Sequence, residues 1–161
     1  MGVFRDAGHL YQLLGGFFVS QADTAEAEQI AGQRFVVQFV YHEPEAVIVI
    51  GPVGSLGVGS GRPAPGAGGR FEAGQAACGR HLEIAFGEAG VQPELVFEMK
   101  ADVAHRFWLG KVNLPTALAR QQIKARGPLA KALKLLPTLQ KLFPRYEQFL
   151  REHGAADLVS A

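Results

Sequence analysis

Two short segments carry residue types from which metal sites are built. Cys78 and His81 stand three residues apart, a spacing found among zinc ligands. His42, Glu43 and Glu45 would join them only if folding brought the two segments together. Because two ligands do not hold a metal ion, the simpler interpretation is a surface histidine and an inert thiol. We therefore expect no bound metal.

The sequence offers no clear catalytic centre either. Asp102 and His105 stand three residues apart on a predicted helix, so their side chains can pair on one face. No nucleophile accompanies them, since none of the serines lies in a nucleophile-elbow pattern. The glycines of residues 51–61 are followed by prolines, whereas a phosphate-binding loop must lead straight into a helix. We expect no catalytic residue and no cofactor.

Composition excludes several other classes of protein. The chain has 161 residues, of which 48% are apolar and 19% charged, as in a globular protein with one domain spanning 1–161. A single cysteine and the lack of a signal-peptide pattern predict a reducing, cytoplasmic location. No uncharged apolar run reaches the roughly 18 residues that a membrane span needs. The pI of about 7.9 is too modest to indicate nucleic-acid binding.

The charges are distributed unevenly along the chain. Residues 1–99 carry a net charge of −6, and residues 100–161 a net charge of +7. Such a basic C-terminal part is suited to anionic lipid head groups or phosphates. Lysines on a solvated helix face would give the same pattern, so both interpretations stay open.

Apolar periodicity and turn signals predict helices and strands along most of the chain. In the N-terminal part, the pattern predicts a helix at 4–19, a helix between Asp23 and Gly32, and strands at 34–42, 46–50, 81–86 and 93–99. In the C-terminal part, it predicts a helix at 103–109 capped by Asp102, a short helix that begins at Asn113 or Thr116 and runs through Arg120, a strand at 123–126 and a last helix that Pro137 kinks or breaks. Gly15 and Gly16 weaken the first helix.

Residues 51–79 do not fit this pattern. They include ten glycines and three prolines, and they have little apolar surface to offset the entropy of ordering. We predict a long loop or insertion here, with a short helix near 71–78.

Bulky apolar side chains are unusually dense in the last third of the chain. They would either pack on the sheet as an ordinary core or enclose an apolar cavity. Composition alone favours the ordinary core.

The order of the segments between residues 10 and 146 resembles that of the sterol carrier protein 2 (SCP-2) family, in particular its bacterial stand-alone members. The likeness is sharpest over 95–146. The matching segments are the strands at 35–39, 46–50 and 94–99, the helix at 102–109, the Gly-Lys-hydrophobic-Asn turn at 110–113 and the basic strand that ends in glycine at 123–127. Residues 51–79 depart from the family, which has a shorter connection there.

This resemblance implies an α+β fold, with a mixed sheet of about five strands covered on one face by helices. It also implies an apolar tunnel and a non-enzymatic role in binding and transferring lipids such as fatty acids, acyl-CoAs or sterols. The residues expected to contact the lipid are Phe97, Phe107, Trp108, Leu109, Val112, Leu118, Ile123, Leu133, Leu136, Leu139, Phe143 and Tyr146. Lys111, Lys124, Arg126 and Lys131 are expected near head groups or a membrane.

Two other functions stay open at this stage. The first is a protein-interaction or regulatory module with a hydrophobic groove, which a core without a cavity above about 300 Å³ would favour. The second is an enzyme that acts on a lipid in the tunnel, which requires a titratable pair such as His105 or Tyr146 facing the cavity. Transient contact with an anionic membrane surface and a homodimer are the further expectations about partners.

Overall fold

The computed structural model describes residues 2–56, 72–87 and 90–160, and in these ranges it contains a six-stranded sheet. The strands run in the order β3-β4-β2-β1-β5-β6. Their bounds are β1 Val37–His42, β2 Ala46–Pro52, β3 Ala76–Cys78, β4 Leu82–Phe86, β5 Leu95–Lys100 and β6 Ile123–Arg126. β1 and β5 are parallel, whereas the other neighbours are antiparallel, so the sheet is mixed.

The helices are short, and several follow one another without an intervening strand. Their bounds are α1 Ala7–Leu10, α2 Gly16–Gln21, α3 Ala25–Ala31, α4 Ala101–Trp108, α5 Leu114–Ala119, α6 Leu129–Lys134, α7 Leu136–Gln140 and α8 Phe143–Glu152. A π-helical turn at Tyr11–Gly15 joins α1 to α2, and a 3₁₀ segment at Ala156–Ser160 follows α8. In the described ranges no helix has the length and apolar character needed to cross a membrane.

One face of the sheet is apolar on five neighbouring strands, β4, β2, β1, β5 and β6. Alternate residues of a strand point to the same face, and the pairing places these side chains together. They are Val37, Phe39, Tyr41, Ala46, Ile48, Ile50, Leu82, Ile84, Phe86, Leu95, Phe97, Met99 and Ile123. Together with the helices that cover it, this inner face forms the main hydrophobic core.

The opposite face carries a smaller apolar cluster near β2 and β4. Its buried members are Val36, Val49, Leu56, Ala76 and Ala85. Glu83 lies beside this cluster with 2% of its surface exposed, and its carboxylate accepts hydrogen bonds from the N–H groups of Gly54 and Leu56 at 2.8 and 2.9 Å. These bonds satisfy the buried charge and hold the turn after β2 on the sheet.

The first helical segment is continuous, contrary to the expectation that Gly15 and Gly16 weaken it. Residues 7–21 run without a break through the π-helical turn. At Gly15, an added Cβ would lie only 2.4 Å from a ring carbon of Phe86. The glycine is therefore needed for the close approach of helix to sheet, which the sequence alone does not show.

The last third of the chain is divided where prolines occur. The sequence left open whether Pro137 kinks or breaks the last helix, and the structure has a break just before it: α6 ends at Lys134, and Pro137 lies in the first turn of α7. Pro144 occupies the equivalent place in α8. Proline is tolerated in a first turn, where its missing N–H has no helical partner. The cover over the sheet is consequently built of separate short pieces.

The structure differs from the prediction in three details, which are the number of strands, the helix expected near 71–78 and the residue that caps α4. The sheet has six strands and not about five, because Ala76–Cys78 pairs with β4 instead of forming a helix. Residues 57–71 of the predicted loop lie outside the described ranges. Asp102 does not cap α4: β5 runs directly into the helix, Lys100 is the cap residue, and the Asp102 carboxylate accepts the N–H of Val3 at 2.9 Å.

The Gly15 contact predicts a local loss of stability on substitution. Gly15→Ala should lower the free energy of unfolding by about 1–3 kcal/mol, because the new methyl group overpacks the site against Phe86. Gly8→Ala is the matched control on the same helix, where the added Cβ meets only Asp6 Oδ1 at 3.4 Å and alanine favours helix. Urea denaturation measures the free energy of unfolding of both variants. If Gly15→Ala and Gly8→Ala changed it equally, the packing role of Gly15 would be contradicted.

Candidate functional site

A cavity of about 120 Å³ lies between the inner face of the sheet and the helices. On the sheet side it is lined by Val37, Phe39, Tyr41, Ile50, Leu82, Ile84, Leu95, Phe97, Met99 and Ile123. On the other side it is lined by Phe17, Phe18, Gln21, Ala27, Ile30, Phe35, Ala104, Phe107, Trp108, Leu114, Ala132, Leu135, Leu139 and Leu142. None of these side chains carries a charge, so the cavity is suited to an apolar occupant.

Aromatic rings form the floor of the cavity. Phe39 on β1 is stacked on Phe97 of β5 at a centroid distance of 5.8 Å and on Tyr41 at 6.2 Å. Phe18 of α2 is stacked on Phe39 at 6.0 Å and meets Trp108 edge-on at 5.4 Å. The rings of Phe39, Tyr41 and Phe97 thus lie side by side on the sheet, and Phe18 reaches them from the helix layer.

The cavity is partly open to solvent at one side. Its half-buried lining residues are Gln21, Ile30, Val37, Phe39, Ile50 and Leu139. Polar contacts link the helices around this mouth: Thr138 donates to Gln29 at 2.9 Å, and Arg145 donates to Gln21 at 3.2 Å. The lining is therefore not fully sealed from solvent, while the bond between Thr138 and Gln29 holds α7 against α3.

Five of the twelve residues predicted to contact lipid line the cavity, namely Phe97, Phe107, Trp108, Ile123 and Leu139. Seven do not, namely Leu109, Val112, Leu118, Leu133, Leu136, Phe143 and Tyr146. That any of the twelve contacts a lipid stays a prediction, and the structure separates them only by position.

The seven lie outside the cavity for different reasons. Leu133 is exposed, with 37% of its surface accessible. Phe143 forms a second layer behind the wall, where it meets Phe107 at 5.3 Å and Trp108 at 6.1 Å. Tyr146 is fully buried but directs its hydroxyl to His105. Apolar character in the last third of the chain thus identified the helices that cover the sheet, but not the side of each helix that faces the cavity.

The sequence interpretation missed the contribution of the N-terminal half. Phe17, Phe18, Phe39, Tyr41 and Ile84 all line the cavity. A signal was present, since the aromatic residues of 4–19 fall at helical spacing and those of 34–42 alternate along a strand. Placing them at the cavity required knowing that β1 lies at the centre of the sheet.

A buried polar group lies behind the cavity wall at His105. Its Nε2 donates to the carbonyl of Leu158 at 2.7 Å, so its Nδ1 accepts the hydroxyl of Tyr146 at 2.8 Å. Burial is the largest influence on His105 and lowers its pKa. Lys111 adds a bond from its Nζ to the carbonyl of Val159 at 2.9 Å. These groups hold the C-terminal segment against α4.

This arrangement answers two questions left by the sequence. The suggested pairing of His105 with Asp102 is wrong, because the hydrogen-bond partners of His105 are Tyr146 and Leu158. Neither His105 nor Tyr146 lines the cavity, so the condition set for an enzyme acting on a bound lipid is not met by this pair. Lys111 is exposed and donates one bond to the carbonyl of Val159, and its contact with a head group stays a prediction.

The candidate metal ligands remain apart. Cys78 is exposed, and His81 lies 3.7 Å from the carboxylate of Glu28. His42 contacts Glu98 at 2.6 Å, which together with Glu45 raises its pKa. No group of three or more histidine, cysteine, aspartate or glutamate side chains suited to a metal occurs among the residues of 2–56, 72–87 and 90–160.

A wider groove lies on the surface between the N-terminal helical segment and α8. It has a volume of about 770 Å³ and is bordered by polar groups including Gln12, Gln148 and Glu152. Because this groove is wide and has an amide-rich border, it is less suited to hold an apolar molecule than the cavity between sheet and helices. We therefore take the smaller cavity as the candidate site.

Known proteins resemble this chain in structure more than in sequence. No protein-family model matches it, and no curated protein matches it significantly. The solution structure of the sterol carrier protein domain 2 of Helicoverpa armigera has a TM-score of 0.54 with it, at 15% identity, over 89% of this chain and 95% of that one. The predicted α+β, SCP-2-like fold is thereby confirmed.

Two other likenesses are weaker. The ligand-free sterol carrier protein 2 from Yarrowia lipolytica has a TM-score of 0.44, at 11% identity, over 83% of this chain and 95% of that one. The stereoselective inverting sec-alkylsulfatase Pisa1 from Pseudomonas sp. has a TM-score of 0.40, at 13% identity, over 78% of this chain. This chain spans only 14% of the alkylsulfatase. Both scores are too low to establish a shared fold.

The environment of His105 predicts a pH-dependent stability. Because its folded-state pKa is lowered from 6.5, the unfolded state binds a proton first, and stability should fall as the pH drops below 6.5. His105→Gln keeps one donor and one acceptor but does not titrate, so its unfolding free energy should depend less on pH. Urea denaturation of the native protein and of His105→Gln between pH 7.5 and 5 measures this difference. The pKa of His42 is raised, which has the opposite effect on stability, but His42 is present in both proteins and its contribution cancels.

Tyr146→Phe provides the matched test of the same bond. It leaves His105 Nδ1 without its partner and should cost about 1–3 kcal/mol of unfolding free energy. Identical pH dependence in the native protein and in His105→Gln would refute the role given to this histidine.

Proposed function

We propose that the protein binds an apolar, lipid-like molecule without covalent chemistry and carries it between sites. The observation behind this proposal is the cavity itself, which is uncharged, lies between sheet and helices, and is open at one side. Transfer from water stabilises a buried methylene group by about 0.8 kcal/mol, so a cavity of this kind needs few polar groups to bind a hydrocarbon. The likeness to a sterol carrier protein domain supports the same function.

The volume limits what the cavity accepts in this conformation. An apolar cavity of about 150 Å³ holds a benzene-sized molecule, and pockets for drug-sized ligands occupy about 300–1,000 Å³. At about 120 Å³, the cavity fits a short hydrocarbon segment. We propose that a fatty acid, acyl-CoA or sterol extends through the mouth or displaces α6 and α7, which are short and separate.

The same two helices suit contact with an anionic membrane. Residues 103–146 contain nine lysines and arginines and no acidic residue. Lys131, Lys134 and Lys141 are exposed on or beside α6 and α7, next to the exposed Leu133. Leu139 on the other side of this layer lines the cavity. Basic groups near anionic lipid attract the surface, and an exposed leucine adds apolar contact.

A specific observation also favours the second candidate function, a protein-interaction module. The cavity lies well below about 300 Å³, the size at which a core begins to resemble a ligand pocket. If the protein is an interaction module, the half-buried apolar residues at the mouth would receive a partner's side chain. Binding of free lipid to the isolated protein decides between the two functions, and the elution volume in the same preparation tests the expected homodimer.

Filling the cavity should prevent lipid binding. Ala104→Leu places three further carbon atoms at a lining position on α4, and we expect at least a tenfold loss of affinity for a fluorescent fatty acid. Ala130→Leu is the matched control, since Ala130 is exposed on α6 and does not line the cavity. Fluorescence titration gives the affinities, and a thermal melt checks that both variants fold.

Organic extraction of the purified native protein supplies an independent readout. Acyl or sterol lipids in the extract, detected by mass spectrometry, would agree with the carrier function. No lipid in the extract, together with no binding of the fluorescent fatty acid to the native protein, would exclude it in favour of the interaction module.

Charge reversal on α6 should weaken membrane contact. Lys131→Glu with Lys134→Glu should reduce co-sedimentation with vesicles that contain phosphatidylglycerol, because about 1 kcal/mol of attraction is lost for each basic group near the surface. Arg5→Glu with Arg120→Glu changes the net charge equally at exposed positions outside α6. Equal losses for the two pairs would mean that only overall charge matters, and α6 would not be the contact surface.

A further inference from the structure

Tyr41 is one of the residues that line the cavity, and its buried hydroxyl group has no partner among the described residues. It lies on the inner face of β1, opposite Ala46 and beside Met99, and only 1% of its surface is exposed. Its ring lines the cavity. Its hydroxyl oxygen has no hydrogen-bond partner among the described residues, although such buried groups are almost always paired in native proteins.

The other two tyrosines show that this is particular to Tyr41. The hydroxyl of Tyr11 accepts the N–H of Val47 at 3.3 Å, and the hydroxyl of Tyr146 donates to His105 at 2.8 Å. Neither of them lines the cavity. The unpaired hydroxyl is therefore found at the tyrosine that borders the candidate site.

The surroundings of Tyr41 select for a neutral partner. Among the residues that the structure describes, no lysine, arginine or histidine lines the cavity, so an ionised carboxylate beside Tyr41 would be buried without a countercharge, which is strongly unfavourable. Burial also raises the pKa of Tyr41, which keeps its hydroxyl protonated and able to donate. Gln21, at the mouth, is already engaged by Arg145 and Ser20.

We propose that Tyr41 anchors the ligand through a neutral oxygen group, a hydroxyl or a carbonyl, so that the site selects alcohols and related uncharged amphiphiles over alkanes and over acids short enough to bury their ionised carboxylate. This inference depends on the proposed lipid binding and deepens it. The ligand places its neutral oxygen at Tyr41 inside the cavity and its hydrocarbon among the apolar side chains. Helix or side-chain movement that admits the ligand also brings its oxygen to the hydroxyl.

The test compares three six-carbon probes at pH 7.5 by calorimetry. Hexan-1-ol should bind the native protein more tightly than hexane, and hexanoate should bind least. In Tyr41→Phe, the affinity for hexan-1-ol should fall about tenfold, equal to about 1.4 kcal/mol, while that for hexane stays unchanged. The ligand-free variant should be as stable as the native protein or more so, because it no longer buries an unpaired hydroxyl.

Tyr11→Phe is the matched control, since it removes a paired hydroxyl that does not line the cavity. It should lower stability without changing the preference for the alcohol. If Tyr41→Phe loses stability and keeps the full preference for hexan-1-ol, the hydroxyl serves the fold and the anchor is disproved, while lipid binding stands. If the native protein binds none of the three probes or the fluorescent fatty acid, both proposals fail.

Discussion

The aromatic rings on the inner face of the sheet set the main constraint on this fold. Phe39 stacks on neighbours in its own strand, in β5 and in α2, so the rings lie alongside one another and form a continuous floor. Protein interiors are normally close-packed by side chains that interdigitate. A floor of stacked rings offers few gaps for side chains from the opposite layer, and a hollow remains where the helices do not reach down to it.

The cover over this floor is equally limited in how it can pack. At one end Gly15 lets the N-terminal helical segment approach Phe86 closely, while the prolines of α7 and α8 divide the C-terminal cover into short pieces. Small side chains, Ala27, Ala104 and Ala132, face the hollow from three different helices. The close contact at one end, the short pieces at the other and the small side chains between them leave the space above the floor unfilled.

The elements with strong local signals were predictable from the sequence. The strand at 123–126 has its predicted bounds, and Asn113 caps α5 as one of the two suggested starts. The strand Ala76–Cys78 was not predictable, because three residues beside many glycines owe their strand conformation to pairing with β4. The site was partly predictable: the family resemblance pointed to Phe97 and the apolar density to Trp108, but the inward side of each helix depends on long-range contacts.

The energetic cost of the hollow bears on why it exists. Unfilled cavity volume destabilises a fold by about 24 cal/mol per Å³, so about 120 Å³ corresponds to a loss on the order of 3 kcal/mol. That is a substantial share of the roughly 5–15 kcal/mol by which domains are stable. Larger side chains at Ala104 or Ala132 would reduce the loss by packing alone. A bound hydrocarbon offsets the same loss and restores the contacts that the lining lacks. An occupant with a neutral oxygen would in addition satisfy Tyr41, so packing and hydrogen bonding favour the same kind of ligand.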